Sequence, residues 1–139
     1  GAMVAPGARR SRAVLCGPLL RATPGSLVVT VSMEVGCRHQ ESYGVAYSVA
    51  KAADDRLALA ISMALSADGV ASVALYPRLV RTEGVLQFAE HLDLAGSQSP
   101  EGVGRVVAAL AADDQVMSLT GQLLPVADLA QRYGIDPAS

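Results

Sequence analysis

The chain has 139 residues, a length for one domain, and 51% are hydrophobic against 17% charged, so it can bury a core and is not a disordered segment. A formal net charge of -2 excludes the basic footprint of a nucleic-acid binder or of a protein held on an anionic membrane. With aromatics at 4%, the core has to be built from small aliphatic side chains.

Gly1-Ala2-Met3 reads as the scar of tag removal, with Met3 as the original start, and residues 1–8 as a disordered tail. A helix is expected over Arg9–Arg21, apolar at Val14, Leu15, Leu19 and Leu20 and weakened at Gly17-Pro18, where proline removes a hydrogen bond. Its basic cluster, Arg9-Arg10-Ser11-Arg12, reads as a solvated end. Thr23-Pro24-Gly25-Ser26 has turn composition. Leu27–Val31 is a continuous apolar run, which predicts a strand covered on both faces. Met33–Gly44 reads as a loop.

Ala46–Leu65 is the longest helical pattern, with Val49, Ala53, Leu57, Ile61 and Leu65 as its inward stripe. Its many alanines leave a surface that another helix can approach closely. Asp68-Gly69 ends it, the glycine suiting a left-handed cap. Val70–Tyr76 is a second strand, stopped by Pro77. Glu83–Leu92 reads as a short helix with Val85, Leu86 and Ala89 inward.

Ser99-Pro100-Glu101 is a helix start: a capping hydroxyl, proline at the first position and an acid in the first turn. Val103, Val106, Val107 and Leu110 then mark one face. Gln122–Val126 is a third short strand and Asp128–Tyr133 a last helical turn. Strands alternating with helices predict an α/β domain of three parallel strands with flanking helices.

No apolar run approaches the roughly 20 residues of a membrane span. Cys16 and Cys37 make no disulfide framework, so a reduced cytoplasmic protein is the default. His39 and His91 are isolated, and no metal-ligand spacing occurs.

Tyr47-Ser48-Val49-Ala50-Lys51 is the stretch with chemistry in it. A tyrosine and a lysine four apart on a helix share a face. An ammonium beside a phenol favours the phenolate, which suits a tyrosine acting as general acid or base. Lys51 is the chain's one lysine, against ten arginines. A solvated helix face with a buried tyrosine is the competing reading of the pair alone.

The surroundings of the pair weigh against that competing reading. An apolar strand with Ser32 at its end precedes the helix that opens on Tyr-x-x-x-Lys, and a second strand leads into Pro77-Arg78-Leu79-Val80-Arg81-Thr82. Over Pro18–Pro125 this resembles the C-terminal half of the short-chain dehydrogenase/reductase family. The resemblance implies a partial Rossmann-like fold and an NAD(P)-dependent oxidoreductase.

It implies that Tyr47 exchanges a proton with the substrate oxygen. It implies that Lys51 holds the nicotinamide ribose and lowers the phenol's pKa, and that Pro77 and Thr82 face the nicotinamide. A serine at the end of the first strand is expected to bond the substrate oxygen. Met33 stands where the pattern places it, Ser32 lies one place early, and Ser42 is the other candidate. Arg78 replaces the usual glycine of Pro-Gly-x-Val-x-Thr, so it either swings to solvent or marks a site released from the cofactor.

The family's glycine-rich nucleotide turn is not found; Gly102-Val103-Gly104 lies inside a helix start and reads as chance. Three readings stand: an oxidoreductase portion that is catalytically incomplete and does not bind NAD(P) alone, a non-catalytic oligomeric or interaction module, and a half-enzyme completed by a separate N-terminal chain. Tyr47 and Lys51, as inherited catalytic groups, are expected to matter little for folding. A homodimer or higher homo-oligomer built on the Ala46–Leu65 helix is expected, with pairing through the Leu27–Val31 edge as the alternative.

Overall fold

The computed structural model describes residues 15–34 and 44–139. Helix α1 covers residues 15–22. It is followed by β1 (Leu27–Val31), α2 (Val45–Leu65), β2 (Ala71–Tyr76), α3 (Glu83–Leu86), α4 (Pro100–Ala111), β3 (Leu123–Pro125) and α5 (Val126–Tyr133). The expected tail, the start of the first helix and the loop carrying Cys37, His39 and Ser42 lie outside the described residues.

The strands form one parallel sheet in the order β1-β2-β3, with Val29 opposite Val73 and Leu75 opposite Leu124. Parallel pairing needs a crossover, and α2 supplies the first one. β2 lies between the other two strands and is buried along nearly its whole length. β1 is only half-buried, short of the two-sided cover expected from its apolar run, because it forms an edge of the sheet among the described residues.

Side chains of a strand alternate between faces, and β2 uses its two faces differently. Ala71, Val73 and Leu75 enter the aliphatic core with Val106 and Leu110 of α4 and Val126 and Leu129 of α5. Ser72 and Tyr76 meet α2 instead. Ser72 Oγ donates to the Ala58 carbonyl at 3.0 Å, and the Tyr76 hydroxyl donates to Asp55 Oδ2 at 2.7 Å.

That polar sheet face rotates α2 away from the expected orientation. The helix buries Asp54, Asp55, Ala58, Ser62 and Leu65. Of the apolar stripe, only Leu65 is buried, while Val49 is 63% exposed. The stripe follows helical periodicity correctly, but the sheet presents hydroxyls, so the helix turns its hydrogen-bonding side inward. Asp55 Oδ1 is buried without a hydrogen-bond partner. Leu86 is likewise exposed rather than inward, since α3 is a single short turn at the surface.

Ser99 caps α4 as expected, its Oγ accepting from the Gly102 amide at 2.8 Å. Gly102 has a second duty that its sequence context hides. A Cβ there would lie 2.3 Å from the Pro137 carbonyl oxygen, so only glycine lets the segment after α5 cross the helix start. Among the described residues no helix is long and apolar enough to cross a membrane, and no group of three metal-ligating side chains occurs.

Candidate active site

The site forms where the C-terminal ends of two parallel strands meet the start of a helix, as open α/β sheets generally arrange their ligand crevices. β1 ends at Val31 and delivers Ser32; α2 begins at Val45, which puts Tyr47 in its first turn and Lys51 one turn later. β2 ends at Tyr76 and delivers Pro77, and Thr82 caps α3. A cleft of about 340 Å³ is lined by Ser32, Tyr47, Lys51, Pro77, Arg78 and Thr82 among others. The structure thus gathers every described residue singled out by the sequence into one concavity, at the small end of ligand-site volumes.

Lys51 is its best-anchored member. Nζ donates to the Val31 carbonyl at 3.1 Å and pairs with Asp54 Oδ2 at 3.4 Å, and it lies 5.8 Å from the Tyr47 ring centre. The last distance is within cation–π range. Two of the three ammonium hydrogens are engaged inside the fold, which leaves one for a ligand.

Ser32 is almost fully buried and donates its Oγ proton to the Lys51 carbonyl at 3.1 Å. The end of β1 is therefore stitched to Lys51 twice, through its side chain and through its backbone. Tyr47 is 43% exposed and faces the cleft.

On the opposite wall, Thr82 Oγ1 accepts a long bond from the Val85 amide at 3.4 Å, so its own proton stays available. Arg78 is exposed at the rim, in keeping with the solvent-facing alternative. Its amide donates to the buried Gln98 Oε1 at 3.1 Å, and a Cβ on Gly96 would lie 3.3 Å from its Nη1.

Two contributors escaped sequence reading. Asp54 was legible in principle, as an acid three residues after Lys51 on one helix. Gln98 gave no local signal, because it reaches Arg78 only through the folded loop.

These groups fit the nicotinamide-ribose end of a dinucleotide. Lys51 and Thr82 offer one donor each, and Pro77 supplies a rigid wall. The phosphate end has no glycine-rich turn to receive it among the described residues, since Gly102 serves the chain crossing in α4.

Comparison with known proteins bears on the family and the fold. No protein-family model matches the sequence. Over 122 residues the chain is 39% identical to mouse dehydrogenase/reductase SDR family member 1 and, over the same length, 32% identical to the human protein of that name. Each alignment covers 78% of this chain, and the chain spans 38% of the length of these relatives.

Among solved structures, the fold is similar to that of an NADPH-bound short-chain oxidoreductase from Pseudomonas aeruginosa PAO1. That match has a TM-score of 0.69 and 17% identity, covering 81% of this chain and 49% of the other. A parallel sheet flanked by helices, a Tyr-x-x-x-Lys turn opening onto the strand ends, and identity at this level place the chain in the short-chain dehydrogenase/reductase family.

Proposed function

We propose that the chain is the proton-transfer portion of an NAD(P)-dependent oxidoreductase site and is incomplete for catalysis by itself. The observation that carries this reading is the shared cleft of Tyr47, Lys51, Pro77 and Thr82. A nicotinamide, when bound, supplies or accepts the hydride. Tyr47 gives its phenolic proton to a carbonyl oxygen during reduction and takes one from the hydroxyl during oxidation. Lys51 sets the electrostatics of the phenol and offers its remaining hydrogen to the ribose. Ser32 fixes the lysine's main chain through its bond to the Lys51 carbonyl.

Incompleteness is supported by the missing counterpart for the phosphates among the described residues. Calorimetric titration of the isolated chain with NAD+, NADH, NADP+ and NADPH should give no dissociation constant in the micromolar range. Micromolar binding of any of the four would overturn this part of the reading.

The turned α2 helix favours a second proposal, that the chain acts as a dimer. Val45, Val49 and Met63 are exposed along one side of α2, and Ala60 and Ala64 are exposed with them. A two-fold contact through this face would be self-complementary and would cover apolar surface that a monomer rarely leaves bare.

A further inference from the structure

We propose that the cleft takes a small carboxylate with an apolar body, anchored by Arg78. This rests on reading the cleft as the substrate side of Tyr47 and adds the chemical class of the substrate.

The charges of the cleft point this way. Its lining includes two cations, Lys51 and Arg78, and no carboxylate. The two cations are not equivalent. Lys51 is neutralised within the fold by Asp54 at 3.4 Å, with 16% and 11% of the two side chains exposed. Arg78 has no such partner: among the described residues only its backbone amide is engaged, by Gln98. The uncompensated charge of the cleft is therefore the guanidinium.

The backbone that carries the guanidinium is held in place. Gln98 is 2% exposed and receives the Arg78 amide, while the Gln98 amide donates to Leu79 at 2.8 Å. This double clasp fixes the backbone from which the side chain projects. Gly96, at φ +70°, leaves the space beside Nη1 that a Cβ would crowd. A planar fork with five donors on a fixed backbone suits a planar two-oxygen acceptor.

The rest of the lining selects the body of the ligand. Met33, Leu79, Val80 and Val85 give an apolar, half-buried wall. A ligand with its carboxylate on Arg78 and its apolar body along this wall lies within the cavity that Tyr47 faces.

Calorimetry without any nucleotide tests this, using 4-phenylbutyrate, its neutral amide 4-phenylbutanamide, and inorganic phosphate as probes. The carboxylate should bind at least about tenfold more tightly than the amide, as one charge-assisted contact provides. Arg78→Gln should bring carboxylate and amide level, and Arg78→Lys should keep part of the preference. The proposal is overturned if the wild type binds neither probe, binds both equally, or keeps its preference in Arg78→Gln. Phosphate binding more tightly than 4-phenylbutyrate would overturn the carboxylate class. Because no nucleotide is present, failure of the oxidoreductase reading leaves this result interpretable, and the reverse also holds.

Discussion

Replacing Lys51 separates a group held by the fold from one merely inherited. Lys51→Ala removes the ammonium that faces Asp54 Oδ2 at 3.4 Å and the donor that satisfies the Val31 carbonyl at 3.1 Å. Removing one partner of a fully buried pair costs about 3–5 kcal/mol, whereas exposed pairs contribute about 0–1 kcal/mol. This pair lies nearer the buried limit, with 16% and 11% of its side chains exposed, but its separation is long. We expect a loss of about 2 kcal/mol in Lys51→Ala, between those two limits, since water can replace the donor to the exposed Val31 carbonyl.

The Lys51→Ala/Asp54→Ala double variant should lose less than the sum of the two single losses, because the two residues act in part as a pair. Urea unfolding followed by far-ultraviolet circular dichroism reads these losses. A loss below about 0.5 kcal/mol in Lys51→Ala, which is what a surface substitution costs, would mean that the pair contributes nothing to the fold. Tyr47→Phe should stay within about 1 kcal/mol, because the ring is 43% exposed and keeps its packing.

Two further outcomes follow from the surface and the titratable groups. In sedimentation at micromolar concentration the wild type should be a dimer, and Ala60→Glu or Ala64→Glu should release monomers. A monomeric wild type defeats the dimer, and a dimer surviving both substitutions points to the β1 edge. Stability should also fall at both ends of the pH range.

The Gln115 amide, the Tyr133 hydroxyl and Arg132 hold the Asp113 carboxyl below its ordinary 3.8, although partial burial opposes them. Its stabilising contribution is present above that value and is lost as pH falls through the lowered one. Burial first, then the bond and charge of Asp113, push the Tyr133 phenol up to about 12 from 10.0, against a smaller opposing effect of Arg132. Its contribution is full below pH 10.0 and lost as pH rises through about 12. Tyr133→Phe should flatten the alkaline slope in urea midpoints measured across that window.

The fold was legible because its signals are local. Apolar runs bounded by turns gave β1 and β2 within a residue of their observed ends, and Ser99-Pro100-Glu101 gave the start of α4. The turn of α2 was not legible, because periodicity reports that a helix has two faces and not which one the sheet accepts. That choice depends on Ser72 and Tyr76, which lie on another element.

The candidate site was readable for the same reason as the strands: Tyr47 and Lys51 share one helix, and Pro77 and Thr82 share one strand-to-helix connection. What binds them together was not readable. Gln98 clasps Arg78 across 20 residues of sequence, and Gly102 yields to Pro137. Lys51 was expected to be dispensable for folding, but its contacts with Val31 and Asp54 now argue for a share in stability.

The proposed role of Tyr47 is proton transfer in this cleft once the nucleotide-binding portion is supplied. Grafting this chain onto the mouse relative in place of the segment it matches, and following NAD(P)H absorbance with small aldehydes and ketones, tests it directly. The graft should consume reduced nucleotide, and its Tyr47→Phe variant should lose about 10²–10⁴-fold in rate while still binding nucleotide, as expected for removal of a general acid. A graft that turns over equally well with phenylalanine at position 47, or one that folds and binds nucleotide yet reduces nothing, would contradict it.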